Sequence, residues 1–199
     1  GKSTVAFNLA VWLARHGERV TTFDLDPQRT LTDVADVRAE EGYTPLFSLQ
    51  EGGAEMMDDI QEKSGEVIVD VGTANMDALK AAISIADRIL IPVPPSQADV
   101  WSTQRFLSLV SKIASKKSAP EVLVFVNRAD THQAIRESDE AEEALSELDG
   151  IKLIRTRLCQ RTAYRRSFSE GLGVFERKPS SKASKEFMKF VKVLYPHVG

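Results

Sequence analysis

The sequence predicts an α/β fold, a doubly wound and mainly parallel sheet with helices on both faces. Short β-branched runs alternate along the chain with longer segments of helical periodicity. Apolar strands separated by helices of about 10–15 residues are typical of βαβ units. The 199 residues, 42% of them hydrophobic, suit one large domain. We therefore expect a single domain over residues 1–199.

The elements follow in order from the first residues. The first helix begins within the opening GKST, because apolar residues then recur at helical spacing as far as Leu13 and Gly17 follows as a stop. Strands are predicted at residues 19–26, 66–72, 88–94, 121–128 and 152–158, with a weaker candidate at 44–49. Helices are predicted near residues 30–40, 76–86, 98–116, 132–148 and 181–194.

Composition restricts the class of protein. Cys159 is the only cysteine, which excludes a disulfide framework and a metal site built from several thiolates of one chain. No apolar run approaches the roughly 18 residues that span a bilayer, and we expect a cytoplasmic protein. The net charge of −3 hides a split: residues 151–199 carry 12 Lys or Arg against 3 Asp or Glu, whereas residues 1–150 carry 14 against 26. Such asymmetry indicates a polyanionic partner or a solvated basic surface.

The opening GKST matches the second half of a phosphate-binding P-loop, G-x-x-x-x-G-K-[ST]. In that motif Lys2 reaches the β- and γ-phosphates and the Ser3 hydroxyl ligates Mg²⁺. A P-loop also needs a preceding strand and a glycine-rich turn. We therefore expect about a dozen residues before Gly1, including a strand in the middle of the sheet.

Polar residues end three of the predicted strands, where ligands bind in open α/β sheets. Asp24 and Asp26 of FDLDPQ point the same way at positions i and i+2, and Pro27 then ends the ladder. Asp26 could orient or deprotonate a water that attacks a γ-phosphate, or hold a magnesium-bound water. Asp70 ends VIVD and resembles the Walker B carboxylate that holds Mg²⁺ through a water; a helix N-cap or a loop carboxylate is the alternative. Asn127 and Arg128 end the strand at 121–128.

Together, GKST, DLDPQ, VIVD and PVPPSQADVW resemble the ParA/MinD group of P-loop ATPases with a deviant Walker A motif, and most closely the small ParF-type plasmid partition ATPases. The resemblance implies that Gly1, Lys2, Ser3 and Thr4 bind phosphate, that Lys2 and Asp26 are catalytic, and that Asn127 and Arg128 hold the base. ATP is favoured over GTP, because NRAD has Arg where the guanine-reading motif has Lys.

The same resemblance implies a set of partners. These are Mg²⁺, a second copy in a nucleotide-dependent homodimer, nonspecific DNA on the nucleoid, and a ParB-like centromere-binding protein that stimulates hydrolysis. The predicted DNA-binding residues are Arg155, Arg157, Arg161, Arg165 and Arg166. Arg161 and Arg165 would lie one turn apart on a helix.

Two other functions remain open at this point. A MinD-like regulator would bind the membrane through the terminal helix at 181–194, although we favour a core-packing role for that helix. A metabolic P-loop enzyme, such as a small-molecule kinase or ligase, would turn over without a protein activator.

Overall fold

A computed structural model describes residues 1–114, 119–132 and 136–198. The ends of the helices predicted near 98–116 and 132–148 fall partly outside these residues. The strands are β1 (Val20–Asp24), β2 (Ser48–Glu51), β3 (Glu66–Asp70), β4 (Arg88–Val93), β5 (Glu121–Ala129) and β6 (Lys152–Cys159). The helices are α1 (Lys2–Arg15), α2 (Thr30–Glu40), α3 (Met57–Glu62), α4 (Met76–Ile85), α5 (Gln97–Ile113), α6 (Glu137–Ser146), α7 (Thr162–Ser169), α8 (Val174–Arg177) and α9 (Lys182–Leu194), and a 3-10 turn over Ala54–Met56 precedes α3.

The fold is the predicted parallel α/β architecture. Every strand pairing found in the described residues is parallel, and the strands form two sheets of three, in the orders β2-β1-β3 and β4-β5-β6. The five main predicted strands are confirmed to within about two residues. The weaker candidate at 44–49 is wrong in its bounds, because pairing with β1 begins only at Ser48 and Pro45 has no N–H to donate to a ladder.

In the described residues the two sheets are not joined by hydrogen bonds: β3 is an edge strand of the first sheet, and β4 is an edge strand of the second. Among the described residues β3 pairs only with β1, and β4 only with β5. The first residues of the two strands, Glu66 and Arg88, form an ion pair at 3.5 Å. Apolar residues on both edges, such as Ile68 and Leu90, are only partly buried.

Helix α9 packs into the main core. Phe187, Phe190, Val191 and Leu194 are buried, and the Phe190 ring lies 4.5 Å from that of Phe125 on β5, centroid to centroid. The core-packing interpretation of the terminal helix is therefore confirmed. Among the described residues, no helix is both long and apolar enough to cross a bilayer.

Candidate functional site

The start of α1 and the carboxyl ends of β1 and β3 converge on one glycine. A Cβ added to Gly72 would lie 2.8 Å from Asp26 Oδ2 and 3.5 Å from Lys2 Nζ. The side chains of Lys2 and Asp26 therefore meet beside the same stretch of backbone, two residues after Asp70. The motifs predict that Lys2, Asp26 and Asp70 lie at one edge of the sheet, but they do not predict Gly72, whose small size lets Lys2 and Asp26 approach the backbone.

Helix α1 presents its N-terminus to this point. The first intrahelical bond is donated by the Val5 amide to the Gly1 carbonyl at 3.2 Å, so the amides of Lys2, Ser3 and Thr4 have no helical acceptor. Unpaired amides and the positive end of the helix dipole favour phosphate oxygens. The GKST residues thus have the geometry of half of a phosphate cradle.

Asp24 has a structural part in the site. It is buried, and its Oδ2 accepts hydrogen bonds from the Thr32 amide at 2.9 Å and the Thr32 hydroxyl at 3.0 Å. Its Oδ1 accepts from the Asp26 amide at 3.2 Å. Asp24 therefore fixes the first turn of α2 and the backbone at Asp26.

Asp26 is the more accessible of the two acids. Its Oδ1 accepts a hydrogen bond from the Gln28 amide at 3.0 Å, which leaves Oδ2 toward Gly72 and Lys2. Arg29, which closes this loop, has a left-handed backbone with φ of 53° and binds Glu51 at 2.6 Å. The loop holds one carboxylate oxygen ready for a ligand or a water.

Asp70 is the second buried acid of the site. It is 3% exposed, and its Oδ2 has no hydrogen-bond partner in the described part of the chain. Burial raises the pKa of the Asp70 carboxyl, while the nearby Ser3 hydroxyl acts in the opposite direction. The alternative role as a helix cap is wrong, because Asn75 caps α4 by accepting from the Ala78 amide.

A magnesium ion fits this pair of residues. An unpartnered carboxylate oxygen and a hydroxyl are the hard oxygen ligands that Mg²⁺ binds, and Mg²⁺ usually takes only one or two protein ligands beside phosphates and waters. Within the described ranges no group of three or more His, Cys, Asp or Glu side chains could hold a metal. The predicted ligands Ser3 and Asp70 are thus brought together, and a bound phosphate would have to complete the site.

A cavity of about 310 Å³ adjoins the phosphate cradle. Gly1, Thr4, Asn127 and Arg128 line one side of it, as predicted for a nucleotide. A Cβ on Gly1 would lie 2.5 Å from Asn127 Nδ2, so the cradle and the end of β5 are in close contact. Residues 158–161 also line the cavity, together with residues of α7 and α9. No sequence motif ties residues 158–161 to Gly1, so this part of the lining was not predicted.

The predicted DNA-binding arginines fall into two groups. Arg155 and Arg157 on β6 bind acids of α6: Arg155 pairs with Glu142 at 3.2 Å, and Arg157 pairs with Asp139 at 2.7 Å and with Glu142. The acidic face of α6 thus covers the outer strand of the second sheet. Arg157 is only 29% exposed.

Arg161 differs from the sequence-based prediction. It is the N-cap of α7 with an extended backbone, not a helical residue, and its Nε donates to Glu186 of α9 at 3.0 Å. The partial burial of Arg161 and its contact with Glu186 depend on tertiary packing, which helical spacing does not predict. Arg165 and Arg166 lie on α7 and are exposed, and Arg161 and Arg165 both border the 310 Å³ cavity.

Known proteins resemble this chain in sequence and in structure. The sequence model of the CobQ/CobB/MinD/ParA nucleotide binding domain matches residues 1–174. The protein ParA of Rhizobium radiobacter is 31% identical over 176 residues, which are 86% of this chain and 78% of that protein. The maintenance of carboxysome distribution protein A of Halothiobacillus neapolitanus is 26% identical over 180 residues, 88% of this chain and 82% of that protein.

A solved structure of a variant of the Cyanothece protein McdA in complex with ATP has the same fold. It superposes with a TM-score of 0.71 and 19% identity, over 98% of this chain and 91% of that one. Its parallel α/β fold agrees with the architecture described above.

Proposed function

We propose that this chain, which belongs to the CobQ/CobB/MinD/ParA nucleotide-binding family, hydrolyses Mg-ATP in order to position a cargo along DNA. It is a P-loop ATPase of the ParA/MinD type, and its relatives include ParA and carboxysome distribution proteins. The proposal adds the DNA, the partner proteins and the cycle that joins them.

The observation that carries the proposal is the group of Lys2, Asp26 and Asp70 around Gly72. Lys2 would bind the β- and γ-phosphates from the helix N-terminus, and Ser3 with Asp70 would hold Mg²⁺. When bound, Mg²⁺ neutralises charge that develops on the transferred phosphoryl group. Asp26, with Oδ2 free of hydrogen bonds in the described residues, would orient the attacking water.

The nucleoside would occupy the adjoining cavity. A volume of about 310 Å³ is within the range of small-ligand sites, and Asn127 offers an amide at its edge. Arg128 holds a left-handed backbone with φ of 56°, a conformation that is uncommon outside glycine and often found at binding sites. ATP is the expected nucleotide.

The proposed cycle has three partners. ATP would join two copies of the chain in a homodimer, the dimer would bind DNA without sequence preference, and a ParB-like activator would stimulate hydrolysis and release it. Such a protein would be cytoplasmic and associated with the nucleoid. A MinD-like membrane function receives no support from α9, whose apolar face is buried.

ATP turnover by the full-length protein tests the proposal. Lys2→Ala and Asp26→Ala should each lower the rate by about 100-fold, because each removes a group aligned with the reacting phosphate. Lys80→Ala and Asp33→Ala, at exposed positions on α4 and α2, are the matched controls and should retain the rate. Equal rates in all five proteins would contradict the proposal.

A further inference from the structure

Asn75, the N-cap of α4, binds two segments that are far apart in sequence. Its side-chain Oδ1 accepts a hydrogen bond from the Ala78 amide at 3.2 Å and so caps the helix. Its backbone amide donates to the Gly72 carbonyl at 3.2 Å and closes the turn after β3. Its side-chain Nδ2 donates to the Leu25 carbonyl at 3.3 Å, 50 residues earlier in the chain. The bond to Leu25 therefore joins the loop after β3 to the loop after β1.

Capping alone does not account for an asparagine at this position. Serine and aspartate cap helices as well as asparagine does, and serines cap α5 and α9 in this structure. A carboxamide differs from both, because its acceptor and its donor are separate atoms that can bind two partners. At Asn75 the Ala78 amide requires the oxygen, and the Leu25 carbonyl requires the NH₂ group. Both ends of the carboxamide are therefore used.

The peptide group between Leu25 and Asp26 is bound at both of its polar atoms. The carbonyl, which belongs to Leu25, accepts from Asn75 Nδ2. The N–H, which belongs to Asp26, donates to Asp24 Oδ1 at 3.2 Å. Because a peptide group is planar, with its carbonyl and its N–H on opposite sides, these two bonds fix its orientation. That orientation sets the direction in which the Asp26 side chain leaves the backbone.

The Leu25 carbonyl has no other hydrogen-bond partner among the residues that the structure describes. Leu25 is 1% exposed, so water has little access to replace a lost bond. A buried carbonyl without a partner is costly, and the peptide group is then expected to turn toward water. The Leu25 amide donates to the Asp70 carbonyl at 2.9 Å and does not depend on Asn75. Loss of Asn75 Nδ2 should therefore release the Asp26 side of this loop.

We propose that Asn75 is the positioning residue for Asp26, whose carboxylate it keeps beside Gly72. It acts through the peptide group that follows Leu25. This inference rests on the proposed function, in which Asp26 orients the attacking water. Such a residue changes the rate of the chemical step more than the affinity for nucleotide, because the N-terminus of α1 would bind the phosphates.

Steady-state ATP turnover of the full-length protein tests this role. Asn75→Ser keeps a good helix cap, but its shorter side chain does not reach the Leu25 carbonyl. Its kcat should fall by about 2- to 10-fold, the effect of one hydrogen bond, while KM for MgATP stays within about twofold. The matched control is Ser181→Ala, which removes the capping bond from the Ser184 amide of α9 and should leave kcat and KM unchanged. The thermal midpoint should fall by about 2–4 °C in the control and stay near that of the wild type in Asn75→Ser.

A double variant tests whether Asn75 acts through Asp26. Asp26→Ala/Asn75→Ser should turn over at the rate of Asp26→Ala alone, because the carboxylate that Asn75 positions is absent. A further loss of the same size in the double variant would overturn the inference. So would a kcat of Asn75→Ser equal to that of the wild type, or a raised KM with unchanged kcat.

Hydrogen exchange without nucleotide separates this inference from the proposed function. The amides of residues 24–29 should exchange faster in Asn75→Ser than in the wild type and in Ser181→Ala, because their loop has lost a bond. If Asp26→Ala hydrolysed ATP at the wild-type rate, the proposed function would be contradicted, while faster exchange in Asn75→Ser would still support the positioning of this backbone. Unchanged exchange would overturn the inference even where turnover depends on Asp26.

Discussion

The site at the strand ends and the basic surface of α7 and α9 both contain several charged side chains, but these side chains are buried to different extents. At the strand ends the acids are few and enclosed: Asp24 is 2% exposed and Asp70 is 3% exposed. On α7 and α9 the cations are many and face water. Charges interact far more strongly where protein replaces water. One substitution at the strand ends should therefore abolish a function, whereas one on the surface should only weaken it.

A third group of charges is buried but takes no part in the site. Arg38 of α2 is fully buried, and it donates to Glu176 at 2.8 Å and 3.1 Å, to the Gly171 carbonyl at 3.0 Å and to the Pro45 carbonyl at 3.1 Å. These bonds fasten α2 to α8, to the turn before α8 and to the loop before β2. We therefore expect a buried charge to affect the free energy of unfolding even where no ligand binds.

The largest effect is expected from Arg38→Ala. Removing one partner of a buried ion pair leaves the other without compensation, and it should lower the free energy of unfolding by about 3–5 kcal/mol. Arg177→Ala is the matched control, since Arg177 binds Glu170 at 2.7 Å in an exposed pair on the same segment. Such a pair contributes about 0–1 kcal/mol. Urea unfolding of the two variants measures the difference. Equal losses in the free energy of unfolding would show that burial does not determine the size of the effect.

The next effect is expected from Asp70→Asn, which should separate function from stability. Hydrolysis of Mg-ATP should fall by about 100-fold, because the residue that would hold Mg²⁺ loses its charge. The free energy of unfolding without nucleotide should rise by about 1 kcal/mol, because an ionised, unpartnered oxygen is no longer buried. Turnover and urea unfolding measure the two changes. A variant that is both active and less stable would contradict this assignment.

The pH dependence of stability gives a second measure of Asp70. Its pKa is raised in the folded protein, so between the ordinary Asp value and the raised value the folded state holds more protons than the unfolded state. The contribution of Asp70 to the free energy of unfolding should therefore decrease as pH rises through this window. In Asp70→Asn that decrease should disappear. A difference between variant and wild type that does not change with pH would show that Asp70 is not the titrating group.

Much of the fold was predictable because local patterns encode it. The runs at 66–70 and 121–129 are apolar and β-branched, and parallel strands buried on both faces have that composition. Helices α3, α7 and α8 were missed because they are short, with few apolar residues in register. Their stability comes from tertiary contacts, such as the bond from the Val174 amide to Asn8 Oδ1 at 2.7 Å.

The site was predictable in its residue types but not in its contacts. Asp26 and Asp70 follow from motifs at strand ends, since parallel strands end at one edge of a sheet, and Lys2 follows from GKST at the start of α1. The approach around Gly72 and the cavity wall at residues 158–161 join segments far apart in sequence. The same holds for Arg161, whose partner Glu186 lies 25 residues away. A count of arginines therefore identified a basic region but not which of its cations are free.

The smallest effect is expected from Arg155→Gln, because this arginine is both exposed and paired with an acid. The Arg155 side chain is 75% exposed but pairs with Glu142, so its charge is partly neutralised toward DNA. The free energy of unfolding should change by less than about 1 kcal/mol, as for other exposed pairs. The salt slope of DNA binding should stay unchanged, where a phosphate contact would contribute about 0.9. A decrease of the slope by about 0.9 would place Arg155 of β6 in contact with DNA, as the sequence alone predicts. It would show that exposure, rather than pairing with an acid, decides which cations contact DNA.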